Sequence, residues 1–287
     1  MSNKELQTID FSVLFEVEKA NPNGDPLNGN IPRQDLEGRG EVSDVAIRRK
    51  IRNVLQERGH NIFVQSEDLA DDGFTSLTER FQETLGHKKA VKSNEEATEA
   101  FKKLTEKYID IRLFGQVVTF NKSNAALRGP VTVTIAESIG PITITRNQIV
   151  KSVNGEHKKD GEKASDRMGE KHRVEYGLYR VNGRINVLWG EKSNLTTADV
   201  EELKQALISL FENDASAARP AGSMNVYKVY WWEHETKHPQ NSAKKSYDTL
   251  KVELKDGITV AKSINDFNIE VHLPDTFKPK LTEFNGF

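Results

Sequence analysis

The chain has 287 residues, enough for one large domain or two modest ones. Its net charge of −2 argues against a histone-like basic protein, but RNA binding stays open because the local charge distribution decides that. The absence of Cys excludes a disulfide framework, a thiolate metal site and a cysteine nucleophile. No signal-peptide core and no bilayer-spanning apolar run is found in the sequence, so a cytoplasmic protein is expected.

Alternating apolar residues over positions 9–17 predict a half-buried first strand. A polar loop rich in Asn, Gly and Pro follows over residues 20–43, and a loop of this length between two strong elements is usually functional. Ser43 is a good N-cap for a helix that ends near residues 58–59. The predicted buried stripe of this helix consists of Ile47, Ile51, Val54 and Leu55.

Three arginines, Arg48, Arg49 and Arg52, lie on the flank of that apolar stripe. They follow the helix N-terminus by about one turn, where free N–H groups can meet phosphate, and Arg suits bidentate contact with phosphate. The alternative interpretation is a solvated helix face. The preceding loop, dense in amide donors, favours the first interpretation, so we predict that loop and helix bind a nucleic acid backbone.

The next part of the chain is predicted to be an insertion between core elements, with helices at 66–85 and 93–108. Ser93 and Glu96 fit a capping box at the start of the second of these helices. Further on, alternation predicts a strand with Val131, Val133 and Ile135 on one face. Residues 146–173 carry a net charge of +3 and few large apolar side chains, so they are predicted to leave the domain and return.

A strand-like segment covers residues 174–189, and Asn182-Gly183 within it is either a hairpin turn or a bulge. A second helix over 196–213 leads into a Gly/Pro loop at 218–225 and another strand at 226–232. Short strands are expected at 250–254, 258–261 and 269–273, with a turn at Asp256-Gly257. This order predicts an α+β chain with the β-α-β-β-α-β arrangement of the ferredoxin-like fold. In that fold the 218–225 loop lies beside the 20–43 loop.

His234 to His238 match the H-E-x-x-H zinc signature, which requires a helix. Pro239 disfavours helical geometry at His238, so the match is predicted to be a coincidence, and a zinc protease is the less favoured alternative. No cofactor and no metal site is predicted. The aromatic residues do not form the pair with which RNA-recognition motifs (RRMs) stack bases, so stacking on the sheet face is not expected either.

Four stretches, at 21–53, 110–117, 127–142 and 172–186, together resemble the backbone subunit of type I CRISPR interference complexes (Cascade). The resemblance is closest to the type I-C form, in the RAMP superfamily. It implies a modified RRM-like palm at 1–59 and 174–287, a helical fingers insertion at 60–120, palm/fingers strands at 121–145 and a protruding thumb hairpin at 146–173. It also implies antiviral defence, in which copies of the chain line one CRISPR RNA (crRNA) beside other Cascade subunits, and the guide pairs with target DNA.

By match to the family's motifs, the resemblance implies that the guide is contacted by Asn21, Asn23, Arg33, Ser43, Arg48, Arg49, Arg52, Lys122, Met168, His172, Arg173, Arg219, Pro220, Ala221 and Gly222. Met168 would be the wedge at a kinked base. Guides vary in sequence, so such contacts must read the RNA backbone and shape. No catalytic residue is implied. The alternative is a metal-dependent, RNA-guided ribonuclease of the type III kind, with Asp25 or Asp35 in the loop after the first strand.

Overall fold

The computed structural model describes residues 5–86, 90–120, 122–150 and 168–287. Its strands are β1 (Ile9–Ala20), β2 (Gly24–Asp25), β3 (Ile31–Pro32), β4 (Arg39–Val42), β5 (Gly115–Val118), β6 (Ala125–Arg128), β7 (Val131–Val133), β8 (Ala136–Pro141), β9 (Ile144–Val150), β10 (Met168–Ile185), β11 (Met224–Glu233), β12 (Leu250–Leu254), β13 (Phe267–Val271) and β14 (Lys280–Asn285). Its helices are α1 (Asp44–Glu57), α2 (Leu77–Leu85), α3 (Asn94–Lys107), α4 (Ile109–Phe114), α5 (Val187–Gly190), α6 (Thr197–Ile208) and α7 (Ala243–Asp248).

A central antiparallel sheet organises these elements in the order β14-β11-β1-β10-β8-β4. Two further strands, β7 and β9, pair with the two ends of β10. Helices α1 and α6 pack on one face of the sheet, around Phe15, Ile51 and Leu203. The two longest strands, β1 and β10, lie side by side at the centre of the sheet. Loops at the same end of the sheet therefore come from distant parts of the sequence.

The predicted first strand is confirmed, but the expectation that it is half-buried is wrong. Besides Phe11 and Phe15, the residues of its opposite face, Asp10, Ser12 and Leu14, are also fully buried. The C-terminal tail causes this, because β12, β13 and α7 form an apolar cluster over Leu14 and the neighbouring strands. The alternation along β1 predicts the face that packs against the helices. It cannot predict that the opposite face is covered by a segment more than 200 residues later in the chain.

Helix α1 is confirmed with its cap, since the Ser43 hydroxyl accepts a hydrogen bond from the N–H of Ala46. The Ser93–Glu96 capping box is also present. The helix predicted over 66–85 is wrong in its first half, because α2 begins only after Ser76, its N-cap, and Gly73 turns the chain with a positive φ of 76°. The segment between α1 and β7 has its own apolar core. In the described part of the chain, no helix is both long and apolar enough to cross a membrane.

Two strand predictions differ from the structure. Ile135 does not continue the buried face of Val131 and is 47% exposed. The pairing with β10 shifts by one residue between β7 and β8, so the alternation of faces is interrupted at this point. Residues 258–261 form no strand; the confirmed turn at Asp256-Gly257 leads into irregular chain. The strand β14 at the sheet edge was not predicted. The loop at 218–225, the second helix and the strand that follows it are confirmed.

Asn182-Gly183 is neither a turn nor a bulge, because β10 runs straight through it and pairs with β1 in unbroken register. Gly183 lies opposite Phe11, and a Cβ at this position would overlap the Phe11 ring and the Thr132 carbonyl. Glycine at position 183 therefore does not form a turn; it leaves room for the Phe11 ring to pack on the backbone of β10.

We expect Gly183→Ala to lower the free energy of unfolding by about 1–3 kcal/mol, because the added methyl group overpacks the core against Phe11. Chemical denaturation measures the loss. Phe11→Leu in the same chain frees space for the methyl group, so the double variant should lose less than the sum of the two single variants. Strictly additive losses would contradict the contact between ring and backbone as the cause.

Candidate nucleic-acid interface

The polar loop after β1 is an ordered pair of tight hairpins. In the first, β2 pairs with β3, and the Asp25 carboxylate accepts the N–H of Leu27 at 3.2 Å. In the second, the Asp35 carboxylate accepts the N–H groups of Glu37 and Arg39, each at 2.8 Å. Both aspartates therefore cap turns, as Asp does when it bonds the backbone two residues onward. The turns present Leu27 and Leu36 to solvent.

Amide side chains tie this loop to the start of α1. Asn23 Oδ1 accepts the N–H of Ser43 at 2.9 Å, and Asn21 donates its side-chain N–H to the backbone carbonyl of Asn30 at 2.7 Å. Asn21 is buried, and its side-chain oxygen has no hydrogen-bond partner among the described residues. These residues build the loop; their contact with RNA stays a prediction.

The loop after α6 lies against the end of β1, as the sequence predicts. The N–H of Asn21 donates to the Ala218 carbonyl at 2.9 Å, and the N–H of Glu18 donates to the Ser223 carbonyl at 2.8 Å. Arg219 is partly buried, whereas Pro220, Ala221 and Gly222 are exposed. Gly222 has a φ of +77°, a conformation that favours glycine. Two loops almost 200 residues apart in sequence thus share one end of the sheet.

A hairpin stem begins at the same place. Ala20, the last residue of β1, pairs with Val174, and beyond this point β10 pairs with β9 alone. His172 and Arg173 lie in this stem, and the His172 ring is 3.5 Å from the Glu170 carboxylate. Residues 151–167, with most of the predicted basic excursion, and the side chain of Met168 lie outside the described residues. Lys122 lies elsewhere, in the turn between β5 and β6.

The arginines near the loop differ in how firmly they are held. Arg33 and Arg49 lie 3.6 Å from Asp25 and Asp68 in half-exposed pairs, and such pairs contribute little to stability. Arg48 pairs with Asp44 one turn earlier in α1, with 35% of its side chain exposed. These guanidinium groups can therefore take part in another contact at small cost.

Arg52, in contrast, joins α1 to the segment between α1 and β7. Its side chain is 13% exposed and lies 2.9 Å from the fully buried carboxylate of Asp110. Asp110 also accepts the N–H groups of Phe63 and Val64 at 2.8 and 3.1 Å. The Arg52 guanidinium in addition lies over the Phe114 ring. This arrangement is a structural joint, and the predicted guide contact of Arg52 stays untested.

The sequence argument missed a buried lysine beside the loops. Lys50 is 6% exposed and pairs with Asp214, which also accepts Arg219 at 2.7 Å. Its spacing from Ile47 and Val54 places it on the buried stripe of α1, so helical periodicity could have revealed it. Burial lowers the pKa of Lys50 from 10.5 to about 8, and attraction to Asp214 offsets this only in part.

A lowered lysine pKa means that the folded protein releases this proton at pH values where the unfolded chain still holds it. Stability should therefore rise between pH 8 and 10.5, by about 3 kcal/mol for this group. We expect Lys50→Met to remove that rise, measured by urea denaturation across this pH range. Lys244→Met, at a lysine that is 81% exposed, is the matched control and should retain it. A rise unchanged in Lys50→Met would contradict the assignment.

Several buried polar atoms at this end of the sheet have no hydrogen-bond partner in the described part of the chain. They are Asn21 Oδ1, Arg33 Nε, Arg48 Nε, Arg173 Nε and Ser223 Oγ. Three of them are charged donors, one is a hydroxyl and one is an acceptor. Phosphate oxygens satisfy such donors, and a ribose 2′-OH satisfies such an acceptor.

The H-E-x-x-H segment does not have the geometry of a zinc site. His234 is buried at the end of β11, where its Nε2 lies 3.0 Å from Asp10, and its Nδ1 accepts the N–H of Gln240. The residues that follow are irregular rather than helical, and His238 is exposed. The prediction that the match is a coincidence agrees with this arrangement, in which His234 stabilises the fold.

The fold and this loop-built, arginine-lined end of the sheet define a mixed α/β protein with a central antiparallel sheet and a candidate anion-binding edge. The family model for CRISPR-associated protein Cas7 matches residues 7–272, and the chain belongs to this family. The predicted resemblance is thereby confirmed for the family, and the type I-C assignment stays a prediction.

Individual relatives agree with the family model. A CRISPR-associated protein Cas7 of Haloferax volcanii is 24% identical over 233 residues, which cover 76% of this chain and 68% of the relative. A chain of a solved "CRISPR RNA-guided surveillance complex, pre-nicking" matches with a TM-score of 0.51 and 15% identity, over 88% of this chain and 82% of that one. A chain of another "CRISPR RNA-guided surveillance complex" matches with a TM-score of 0.48 and 16% identity, over 88% of this chain and 78% of that one. The match at a TM-score of 0.51 shows a shared fold.

Proposed function

We propose that this chain is a backbone subunit of a CRISPR interference complex and binds guide crRNA through its phosphates and sugars. Membership of the Cas7 family supports this function, and so do the RNA-guided complexes that contain the similar structures. The observation that carries the proposal is the convergence of both loops and the hairpin stem at one end of the sheet. Guanidinium groups among them form partly exposed ion pairs and have no hydrogen bond at Nε to a described residue.

In this proposal the guide lies along the sheet end, because the C-terminal tail covers the face on which an RRM stacks bases. The guide contacts comprise Arg33, Arg48, Arg49, Arg173 and the loop at 219–222. Asn21, Asn23, Ser43 and His172 are proposed to contact phosphates and sugars, which fixes the position of the guide without reading its sequence. Lys122 and Met168 are proposed guide contacts on the basis of the family motif alone. Arg52 is proposed to serve mainly as the structural joint between α1 and Asp110.

We further propose the division into palm, fingers and thumb. The strand order β11-β1-β10-β8 with α1 and α6 on one face supports a ferredoxin-like palm. The separate core between α1 and β7 supports the fingers, and the two-stranded stem of β9 and β10 supports the thumb. Neighbouring copies along one guide, other Cascade subunits, pairing with target DNA, the type I-C subtype and a cytoplasmic location complete the proposal.

We propose no catalytic role. Asp25 and Asp35, the acids of the alternative ribonuclease, each accept backbone N–H groups through Oδ1 in the turn of a separate hairpin. Turn formation accounts for Asp at both positions without a catalytic role, which supports a binding subunit.

The test measures the affinity for two single-stranded RNAs of equal length and unrelated sequence, by fluorescence anisotropy at several salt concentrations. We expect affinities that agree within about threefold and that fall steeply with salt. No binding, or strong preference for one sequence, would overturn the proposal. Incubating the RNA-loaded protein with complementary labelled RNA and Mg²⁺ tests the alternative. Cleavage that Asp25→Ala or Asp35→Ala abolishes would favour the nuclease.

A further inference from the structure

A cleft of about 560 Å³ opens on the tail side of the sheet, between β10, the bend before β8 and strand β12. Its lining includes Arg180, Asn182, Ile135, Ile139, Val252 and Glu137. Cavities of this size take whole ligand groups rather than single ions. None of the guide contacts proposed above lines it.

Arg180 lies in the floor of this cleft, and its hydrogen-bond partners are neutral groups. Its guanidinium donates to Asn182 Oδ1 at 2.9 Å, to Ser12 Oγ at 3.2 Å, and to the carbonyls of Leu250 and Tyr247 at 3.1 and 2.7 Å. No carboxylate of the described residues forms an ion pair with it, and burial lowers the pKa of Arg180. Asp248 attracts this partly buried guanidinium but forms no ion pair with it, so an anion in direct contact with Arg180 would be favoured.

The hydrogen bonds of the floor leave donors without a partner among the described residues. A guanidinium has five N–H donors, and the neutral acceptors take four of them. Asn182 Oδ1 accepts from both Ser12 at 2.5 Å and Arg180, so the amide NH₂ of Asn182 forms no hydrogen bond to a described residue and lines the cleft. The floor therefore presents N–H groups of Arg180 and Asn182 and recognises an acceptor that carries negative charge.

The walls restrict what carries that charge. Ile135, Ile139 and Val252 are aliphatic, and no aromatic ring lines the cleft to stack on a base. Glu137 is exposed and repels a polyanion, and the second cation of the lining, Arg39, is paired with Glu37 at 2.8 Å. We propose that the cleft binds a single carboxylate on an aliphatic carrier, namely an acidic residue beside a Leu-like residue in a peptide segment of a partner protein. This inference is independent of guide binding.

The test uses ¹⁵N-labelled protein and follows the Arg180 Nε–Hε signal by NMR, assigned with Arg180→Lys. The probe is the C-terminal amide of N-acetyl-leucyl-glutamate, with the C-terminal amide of N-acetyl-leucyl-glutamine, isovalerate and inorganic phosphate as comparison probes at equal ionic strength. We expect a saturable shift with the glutamate dipeptide, weaker binding of isovalerate, and no shift with the neutral glutamine dipeptide. Equal effects of phosphate and the dipeptide would overturn the proposal, because they would indicate unspecific anion binding.

A matched pair of variants tests the apolar wall without disturbing the buried floor. Ile135 and Ile149 are 47% and 51% exposed, and Ile149 lies on β9, away from the cleft lining. We expect Ile135→Ser to weaken dipeptide binding about tenfold, because apolar contact is lost, and Ile149→Ser to leave it unchanged. Equal affinities in the two variants, or no dipeptide binding by the wild-type protein, would contradict the site. RNA binding should persist in both variants.

Discussion

Asp10→Ala should lower the free energy of unfolding by about 3–5 kcal/mol, the range for breaking a buried charge pair. The Asp10 carboxylate is fully buried and accepts Arg184 at 2.5 and 2.9 Å, His234 at 3.0 Å and Ser246 at 2.6 Å. These partners lie on β10, after β11 and on α7. Removing the carboxylate therefore leaves the Arg184 guanidinium without its anion and loosens the tail from the sheet. Urea denaturation, followed by tryptophan fluorescence, measures the loss.

The same carboxylate gives the stability a defined dependence on pH. Burial alone would raise the pKa of Asp10, but the hydrogen bonds from His234, Arg184 and Ser246 outweigh it, so the pKa lies below the ordinary value of 3.8. A lowered carboxylate pKa means that the unfolded chain takes up the proton first. The contribution of Asp10 is therefore complete above pH 3.8 and is lost as pH falls through the folded-state value. Asp10→Ala should flatten this acid limb of the stability curve.

Glu283→Ala is the control for Asp10, because Glu283 forms a half-exposed pair with Lys228 at 2.9 Å on the neighbouring sheet edge. Its loss should stay within about 0.5 kcal/mol. A loss below about 1 kcal/mol in Asp10→Ala would contradict the network as a support of the tail.

Added Zn²⁺ should not raise the melting temperature of the wild-type protein. A rise that His234→Ala abolishes would instead restore the zinc interpretation of the H-E-x-x-H segment.

Local patterns predicted those elements whose cause is local. Alternation located β1, and Ser43 and Ser93 marked helix starts because a cap is a contact between residues three positions apart. The loops at 20–43 and 218–225 were placed together because the strand order of the fold fixes which loops share an end. The second hairpin within the first loop also had a local signal, since Asp35 is followed three residues later by Gly38, as in a type I turn.

Long-range contacts decided the remainder. Arg48 and Arg52 have the same residue type on the same helix, yet Arg52 is bound by Asp110, which follows it by 58 residues and is buried by a separate core. No helical pattern distinguishes the two. The second face of β1 and the cleft at Arg180 likewise depend on β12 and α7, far along the chain. Tertiary partners of this kind cannot be deduced from the spacing of residues within one element.

The second large effect is expected in RNA binding. We expect Arg48→Ala combined with Arg49→Ala to weaken affinity for single-stranded RNA by about 10- to 100-fold, because two charge-assisted phosphate contacts are lost. The slope of log affinity against log salt should become shallower by about 1.4, since each phosphate contact contributes about 0.7 for single strands. Both side chains are partly exposed, at 35% and 50%, so the fold should tolerate the change. Anisotropy at five salt concentrations, with melting temperature in parallel, gives both quantities.

Arg52→Ala separates a structural arginine from a binding one on the same helix. It leaves the fully buried Asp110 without its cation, so we expect a loss of about 3 kcal/mol in unfolding free energy and an unchanged salt slope. Arg58→Ala, at the end of the same helix in a more exposed pair with Glu202, should change neither. If Arg52→Ala reduces the slope as much as one member of the Arg48–Arg49 pair does, then Arg52 contacts phosphate as the family motif implies. An unchanged slope in the double variant would instead remove α1 from the guide site and leave the loop at 219–222 as its main support.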